Sequence, residues 1–153
     1  MSLLAGAALR AAERGPAALC VVGSVNLDGD PSVERLRAKG RFFHAPATLR
    51  VEDYFAAADV FVLPAFYEEF GLTALEALAS GCPVILGSRV GAAEILTGGG
   101  DGVVIREMTD PEELAAAILA PHKLDRVAAR RTAEKYTWER HVEGIVGVYR
   151  EIL

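Results

Sequence analysis

The sequence predicts an α/β domain: a Rossmann-like parallel sheet of about five strands with helices on both faces. Short, continuous apolar runs such as Leu19-Cys20-Val21-Val22 and Val60-Phe61-Val62-Leu63 each end at a Gly or Pro, as strands buried on both faces do. Stretches with helical periodicity separate those runs almost without exception, and strands alternating with helices imply parallel pairing. The chain is also long enough for one core, with 153 residues, 52% of them hydrophobic and 24% charged.

Taken in order, residues 3–14 form an amphipathic helix in which Arg10, Glu13 and Arg14 follow an apolar start at helical spacing. No basic residue precedes that apolar start, so it reads as a helix and not as a signal peptide. Residues 19–22 are the first strand, ended by Gly23, and 31–38 the next helix. Arg41-Phe42-Phe43-His44 is a weaker strand candidate, followed by a helix over 50–58. Residues 60–63 are a strand closed by Pro64, and 72–80 a helix ended by Gly81 before the strand Pro83-Val84-Ile85-Leu86. A helix over 91–96 leads to the strand Gly102-Val103-Val104-Ile105. Asp110-Pro111-Glu112-Glu113 supplies a capping Asp, a Pro at the first helical position and acids in the first turn, opening a helix over 111–119. Helices near 122–134 and 137–152 close the chain.

Charge and cysteine usage exclude several functions. Sixteen Lys and Arg against 21 Asp and Glu give a net charge of −5, the wrong sign for a partner held through nucleic-acid phosphates. Cys20 and Cys82 lie far apart inside apolar runs, which predicts buried free thiols in a reducing compartment. No apolar stretch reaches the roughly 18 residues that span a bilayer. The expected location is cytoplasmic, with membrane contact, if any, at the surface of the inner face.

In an open parallel sheet, ligands bind beyond the carboxyl ends of the strands. There the strand ending at Leu63 leads through Pro64-Ala65-Phe66-Tyr67-Glu68-Glu69-Phe70 to a helix that starts near Gly71. Gly71 permits close backbone approach, and the amides of Leu72 and Thr73, with the Thr73 hydroxyl, suit a phosphate. Glu68 on the loop and Glu76 one turn into the helix are eight residues apart and can accept hydrogen bonds from sugar hydroxyls. In outline this is a nucleotide-sugar site. Acids near a helix start are also favoured by the dipole alone, and Glu69 fits that simpler role.

Residues 68–85, Glu-Glu-Phe-Gly-Leu-Thr-Ala-Leu-Glu-Ala-Leu-Ala-Ser-Gly-Cys-Pro-Val-Ile, resemble the signature of the family-4 retaining glycosyltransferases. That signature has a Glu, seven residues, a second Glu, an internal Phe-Gly-Leu, and a following Glu-Ala leading to Ala-x-Gly-x-Pro-Val. Ala58-Asp59-Val60-Phe61-Val62-Leu63-Pro64 before it, Gly91-Ala92-Ala93-Glu94-Ile95 after it and Tyr136-Thr137-Trp138-Glu139 near the end are similar to the family's flanking text. The resemblance covers nearly the whole chain, as the C-terminal, donor-binding half of a two-domain GT-B enzyme.

It implies sugar transfer from a UDP- or GDP-sugar to an acceptor with retained configuration. Glu68 would contact the transferred sugar as the catalytic-site carboxylate, Phe70, Gly71, Leu72 and Thr73 would hold the diphosphate, and Glu76 would bind the ribose. No metal or other cofactor is implied, because amides and basic side chains stabilise the departing diphosphate. The versions of Tyr67-Glu68-Glu69-Phe70 and Gly91–Ile95 found here are similar to those of enzymes building lipopolysaccharide core.

The sequence also departs from the pattern. The family's half-enzyme opens with a central strand and a glycine loop bearing an Arg and a Lys; here Leu3–Arg14 resembles the helix after that strand, and Arg89 is a weak local substitute for the basic clamp. Strands beside the missing one should be left unpaired. Pro46 stands where the family has a glycine near the base pocket, between Ala45 and Ala47. The N-terminal, acceptor-binding domain is absent from this sequence, and the helix over 137–152 is expected to have been made to pack on it. Two alternatives stay open: a non-catalytic nucleotide or glycan binding module, and an assembly fragment that self-associates or completes its sheet with a partner.

Other motifs carry less. Gly98-Gly99-Gly100-Asp101-Gly102 precedes a strand, so it reads as a turn and not a phosphate loop. Asp28-Gly29-Asp30 lacks the remaining ligands of a calcium loop, and His44, His122 and His141 show no metal spacing. His44 has a pocket-lining alternative to its packing or solvent role. Trp138 and Tyr149 share a helix face that reads as a packing surface.

Overall fold

The computed structural model describes residues 2–106 and 108–152. In chain order the elements are α1 (Ser2–Arg14), β1 (Leu19–Val22), α2 (Pro31–Ala38), β2 (Phe42–Ala45), α3 (Val51–Ala57), β3 (Phe61–Leu63), α4 (Leu72–Ala79) and β4 (Val84–Gly87). A 3-10 turn at Gly91–Ile95 then leads to β5 (Gly102–Ile105), α5 (Pro111–Ile118), a second 3-10 turn at Pro121–Lys123, α6 (Arg126–Ala133) and α7 (Trp138–Ile152). The α/β alternation is the predicted one.

Aspartate caps set three helix starts. Asp30 accepts from the amides of Ser32 at 2.9 Å and Val33 at 3.3 Å, and Asp110 from Glu112 at 2.8 Å. Asp125 accepts from Val127 at 2.7 Å and Ala128 at 3.3 Å. This third cap corrects the single helix expected over 122–134. Leu124 and Asp125 are extended, and the Asp125 amide donates to the Gly100 carbonyl at 2.8 Å. The stretch near 91–96 is likewise a 3-10 turn and not an α-helix.

Among the described residues five strands form, all their pairings are parallel, and they divide into two sheets. One contains β1 and β2, with Leu19 opposite Phe42 and Val22 opposite Ala45. The other has the order β3-β4-β5, with Phe61 opposite Val84 and Val84 opposite Gly102. Among the described residues no strand joins β1 to β3. The expected parallel sheet of about five strands is thus present in two parts, with the unpaired neighbours that the resemblance implied.

Two apolar layers cover the three-stranded sheet, and one of them extends over the β1–β2 sheet. Ile85 and Ile105 point into one layer, with Leu4, Leu9, Leu36 and Leu114 from α1, α2 and α5. Val84 and Leu86 point the other way, to Leu78 of α4, Ile95 and Ala129 of α6, as strand alternation requires. The α1 contact face is mostly Ala and Gly, so α1 packs closely against α5 and α2. Arg10 and Arg14 of α1 both pair with Glu112 at 2.6 Å, and Arg35 of α2 pairs with Glu13 at 2.6 Å.

The second face of the β1–β2 sheet is bare. Leu19 and Val21 serve the α1 layer, so their neighbour Cys20 points away from it and is exposed, opposite a Phe43 that is 57% exposed. The expectation of two buried thiols holds for Cys82 alone. Burial pushes the Cys82 thiol up to about 11, although the positive charge of Arg126 opposes the shift.

Candidate functional site

The site is assembled where the loop leaving β3 meets the loop leaving β4, at the carboxyl end of the three-stranded sheet. The two loops are laced by backbone hydrogen bonds. The Glu68 amide donates to the Arg89 carbonyl at 3.1 Å, the Gly91 amide to the Glu68 carbonyl at 3.0 Å and the Ala92 amide to the Phe70 carbonyl at 2.7 Å. Glu68 thus forms a parallel bridge with Val90. That lacing fixes the backbone of a carboxylate that would otherwise ride on an eight-residue loop, 64–71.

Two glycines permit this approach. A Cβ on Gly91 would lie 2.1 Å from the Glu69 carbonyl oxygen, closer than atoms can come, so only glycine fits there. Gly71 has φ 86° and ψ 62°, a left-handed conformation that side chains disfavour. A Cβ there would also stand 3.0 Å from Leu63, 3.2 Å from Val90 and 3.3 Å from the Glu68 Cγ. The Glu68 side chain therefore lies directly beside the start of α4.

Gly71 begins α4 without a side-chain cap. The Ala74 amide donates back to the Gly71 carbonyl at 2.8 Å, whereas the amides of Leu72 and Thr73 have no backbone acceptor. Leu72, Thr73 and Glu76 are exposed on one side of the helix, while Ala74, Ala77 and Leu78 are buried on the other. Two donors and a carboxylate consequently share the open face. Phe70 differs from its neighbours, because its side chain packs into the α4 layer and only its backbone belongs to the site.

Arg89 is exposed on the β4 loop, its carbonyl already engaged by Glu68. A separate cleft of about 640 Å³ opens at the ends of β1 and β2. Gly23, Ser24, Asn26, Asp28, Arg37, His44 and Pro46 are among the residues that line it. His44 Nε2 lies 2.9 Å from the Gly23 carbonyl, which ties the ends of the two strands together and places His44 on the cleft wall. Among the described residues no group of three His, Cys, Asp or Glu side chains is arranged to hold a metal ion.

One buried residue escaped the sequence reading. Asp101 is fully buried, and its Oδ2 accepts from the Thr97 amide at 2.7 Å, the Thr97 hydroxyl at 3.0 Å and the Thr132 hydroxyl at 2.7 Å. Burial raises the pKa of this carboxyl, but the three donors outweigh it and hold the group below the usual aspartate range. Asp101 fastens the glycine turn to α6, and α6 in turn fixes α3, because Arg126 donates to the Ala56 and Ala58 carbonyls at 2.7 Å each. The glycine run forms a bend over 98–101, with Gly102 already in β5; the buried carboxylate inside it looked, in sequence, like one more loop Asp.

Parallel sheets flanked by helices match the fold expected of a GT-B glycosyltransferase half. The chain belongs to the glycosyl transferases group 1 family, whose model matches residues 1–122. It is similar to a D-inositol 3-phosphate glycosyltransferase of Geodermatophilus obscurus, 42% identical over 100 residues that cover 63% of this chain and 22% of the relative. A protein of the same description from Rhodococcus erythropolis is 30% identical over 150 residues, covering 89% of this chain and 34% of the relative. The chain therefore spans between about a fifth and a third of the length of these relatives.

Solved structures agree on the fold. A glycosyltransferase from Rickettsia africae superposes with a TM-score of 0.82 at 18% identity, covering 98% of this chain and 43% of that one. HepE from Anabaena, in complex with UDP-glucose, gives 0.72 at 20% identity over 96% of this chain and 44% of that one. WaaG, a glycosyltransferase of lipopolysaccharide biosynthesis, gives 0.65 at 27% identity over 87% of this chain and 36% of that one.

Proposed function

We propose that this chain supplies the donor-binding half of a retaining glycosyltransferase that takes its sugar from a nucleoside diphosphate. The observation that carries the reading is the face shared by Glu68, the free amides of Leu72 and Thr73, and Glu76 at the start of α4. In this reading the diphosphate sits against the Gly71–Thr73 amides, which offset its charge with the positive end of the helix dipole. Glu76 accepts from the ribose hydroxyls, and Glu68 positions the transferred sugar and stabilises charge as its bond to the diphosphate breaks. The cleft at His44 and Pro46 suits the nucleoside end. No metal enters the proposed chemistry.

A uridine nucleotide is the first donor to try, since a protein of this fold has been solved with UDP-glucose bound. One relative is described as an inositol 3-phosphate glycosyltransferase and one structural neighbour as an enzyme of lipopolysaccharide biosynthesis, and the acceptor is proposed to be held by a second domain. The apolar face of α7, which carries Trp138, Val142, Ile145 and Tyr149 and has no buried residue, is proposed to pack on that domain. Without it the chain should bind donor but transfer poorly, because nothing orients the acceptor.

Calorimetry with UDP, GDP and their sugars tests this reading. One nucleotide should bind, and Glu76→Ala should weaken it by about tenfold or more, the effect of losing a hydrogen bond to a charged group. If neither nucleotide binds, or if Glu76→Ala leaves the affinity unchanged, the ribose assignment is wrong.

A further inference from the structure

Two arginine side chains at the carboxyl end of the three-stranded sheet take no part in the lacing of the site. Arg89 sits in a turn that closes with the Val90 amide donating to the Gly87 carbonyl at 3.1 Å, and Arg106 follows directly on β5. Both are exposed. Elsewhere arginines hold the fold together, Arg10 and Arg14 on Glu112 and Arg126 on the Ala56 and Ala58 carbonyls. Among the described residues no carboxylate or carbonyl engages the guanidinium of Arg89 or Arg106.

The backbone beneath them is fixed. The Ser88 amide donates to the Ile105 carbonyl at 2.9 Å and the Ser88 hydroxyl to the Arg106 carbonyl at 2.8 Å, while the Arg89 carbonyl accepts from the Glu68 amide at 3.1 Å. One turn, 87–90, therefore holds the residue after β5 on one side and the Glu68 loop on the other. Two positive side chains leave neighbouring strand ends about 4.8 Å apart, and their mutual repulsion is relieved by an anion placed between them. Their position also separates them from the start of α4. Gly71 lies against Leu63 at the end of β3, whereas Arg106 follows β5, the third strand in the order β3-β4-β5.

We propose that Arg89 and Arg106 form a receptor for an anionic group, a phosphate or carboxylate, distinct from the diphosphate assigned to α4. Guanidinium groups bind such oxyanions through paired, charge-assisted hydrogen bonds, and two of them on different loops fix the orientation of the group as well as its charge. In a domain of net charge −5 the pair supplies a local attraction for an anionic substrate beside Glu68. Which molecule carries the group rests on the donor-binding reading: it is either a carboxylate of the transferred sugar or a charged group of the acceptor.

Titration of the 153-residue chain with inorganic phosphate, followed by the NMR signals of the arginine Nε–H groups, tests the receptor. The Arg89 and Arg106 signals should shift and saturate, equally so in chain already saturated with UDP, and sodium chloride at matched ionic strength should not move them. Arg106→Gln should weaken phosphate binding by about tenfold, while Arg131→Gln, on α6, should leave it unchanged. Signals that respond no more to phosphate than to chloride overturn the proposal. So does phosphate binding that UDP abolishes, because one diphosphate would then account for both arginines. The phosphate response needs no nucleotide, so failure of UDP to bind sinks the donor-binding reading and leaves the receptor standing. Calorimetry then locates the group. UDP-glucuronate binding about tenfold tighter than UDP-glucose, a difference lost in Arg106→Gln, assigns it to the transferred sugar. Equal binding of the two, with phosphate still taken up beside UDP-glucose, assigns it to the acceptor.

Discussion

The two halves of the divided sheet share a strand direction and little else. In the β3-β4-β5 half, all four residues of β4 are buried and both faces are covered, by α1 and α5 on one side and by α4 and α6 on the other. In the β1–β2 half, only the face under α1 and α2 is covered, and Cys20 and Phe43 stand exposed on the other. The candidate site lies on the first half and the cleft lined by His44 on the second. Short apolar strands yield a platform buried on both faces where two layers close on them and a half-open ribbon where one does.

The largest expected difference is in the core. Ile85→Ala removes a fully buried side chain between the layers and should cost about 2–5 kcal/mol, whereas Phe43→Ala on the bare face should change stability by no more than about 0.5 kcal/mol. Urea denaturation of both variants measures the contrast, and equal losses would erase it.

Thr132→Val comes next. It withdraws one donor from buried Asp101 and should cost about 1.5–3 kcal/mol, the range for a hydrogen bond to a charged group. Because the Asp101 carboxyl titrates below its unfolded value, its stabilisation is present above the ordinary aspartate pKa and is lost as the pH falls through the depressed one. Acid titrations of stability should therefore flatten in Asp101→Asn. An unchanged profile would show that the carboxylate is not ionised in the folded protein.

Gly71→Ala should cost about 1–2 kcal/mol for the left-handed backbone alone. The same substitution at Gly29, which also has positive φ but meets nothing within 4 Å, should leave the proposed nucleotide affinity intact, whereas Gly71→Ala should weaken it by displacing Glu68. Calorimetry separates the two. The smallest effect is chemical. Cys20 should react with an alkylating reagent in the native chain at pH 8 while Cys82, buried and with its thiol pushed up to about 11, stays unmodified. Mass spectrometry counts the adducts.

Much of this was legible in the residues. Gly and Pro punctuation located all five strands within a residue or so, and Asp-Pro marked the start of α5. The Glu68–Glu76 spacing placed one carboxylate on the loop and the other one turn into α4, and the structure puts the latter on the open side of the helix. What failed was long-range. Asp125 was hidden inside a helical pattern because its amide is captured by Gly100, twenty-five residues away in sequence. Cys20 looked buried because an apolar run does not reveal how many of its faces will be covered.

Local pattern thus determined the elements, their order and the residue types at the site, because strand and helix periods, caps and the glycine before α4 are set by near neighbours in the chain. The open edges of β1 and β3 were implied by the resemblance; only the tertiary structure decided that Gly91 must yield to the Glu69 carbonyl and that Glu68 is held beside α4 by the β4 loop. Each of those depends on which backbone edges meet across the fold. A sequence period specifies a strand, but pairing is a property of two strands, and the second is elsewhere in the chain.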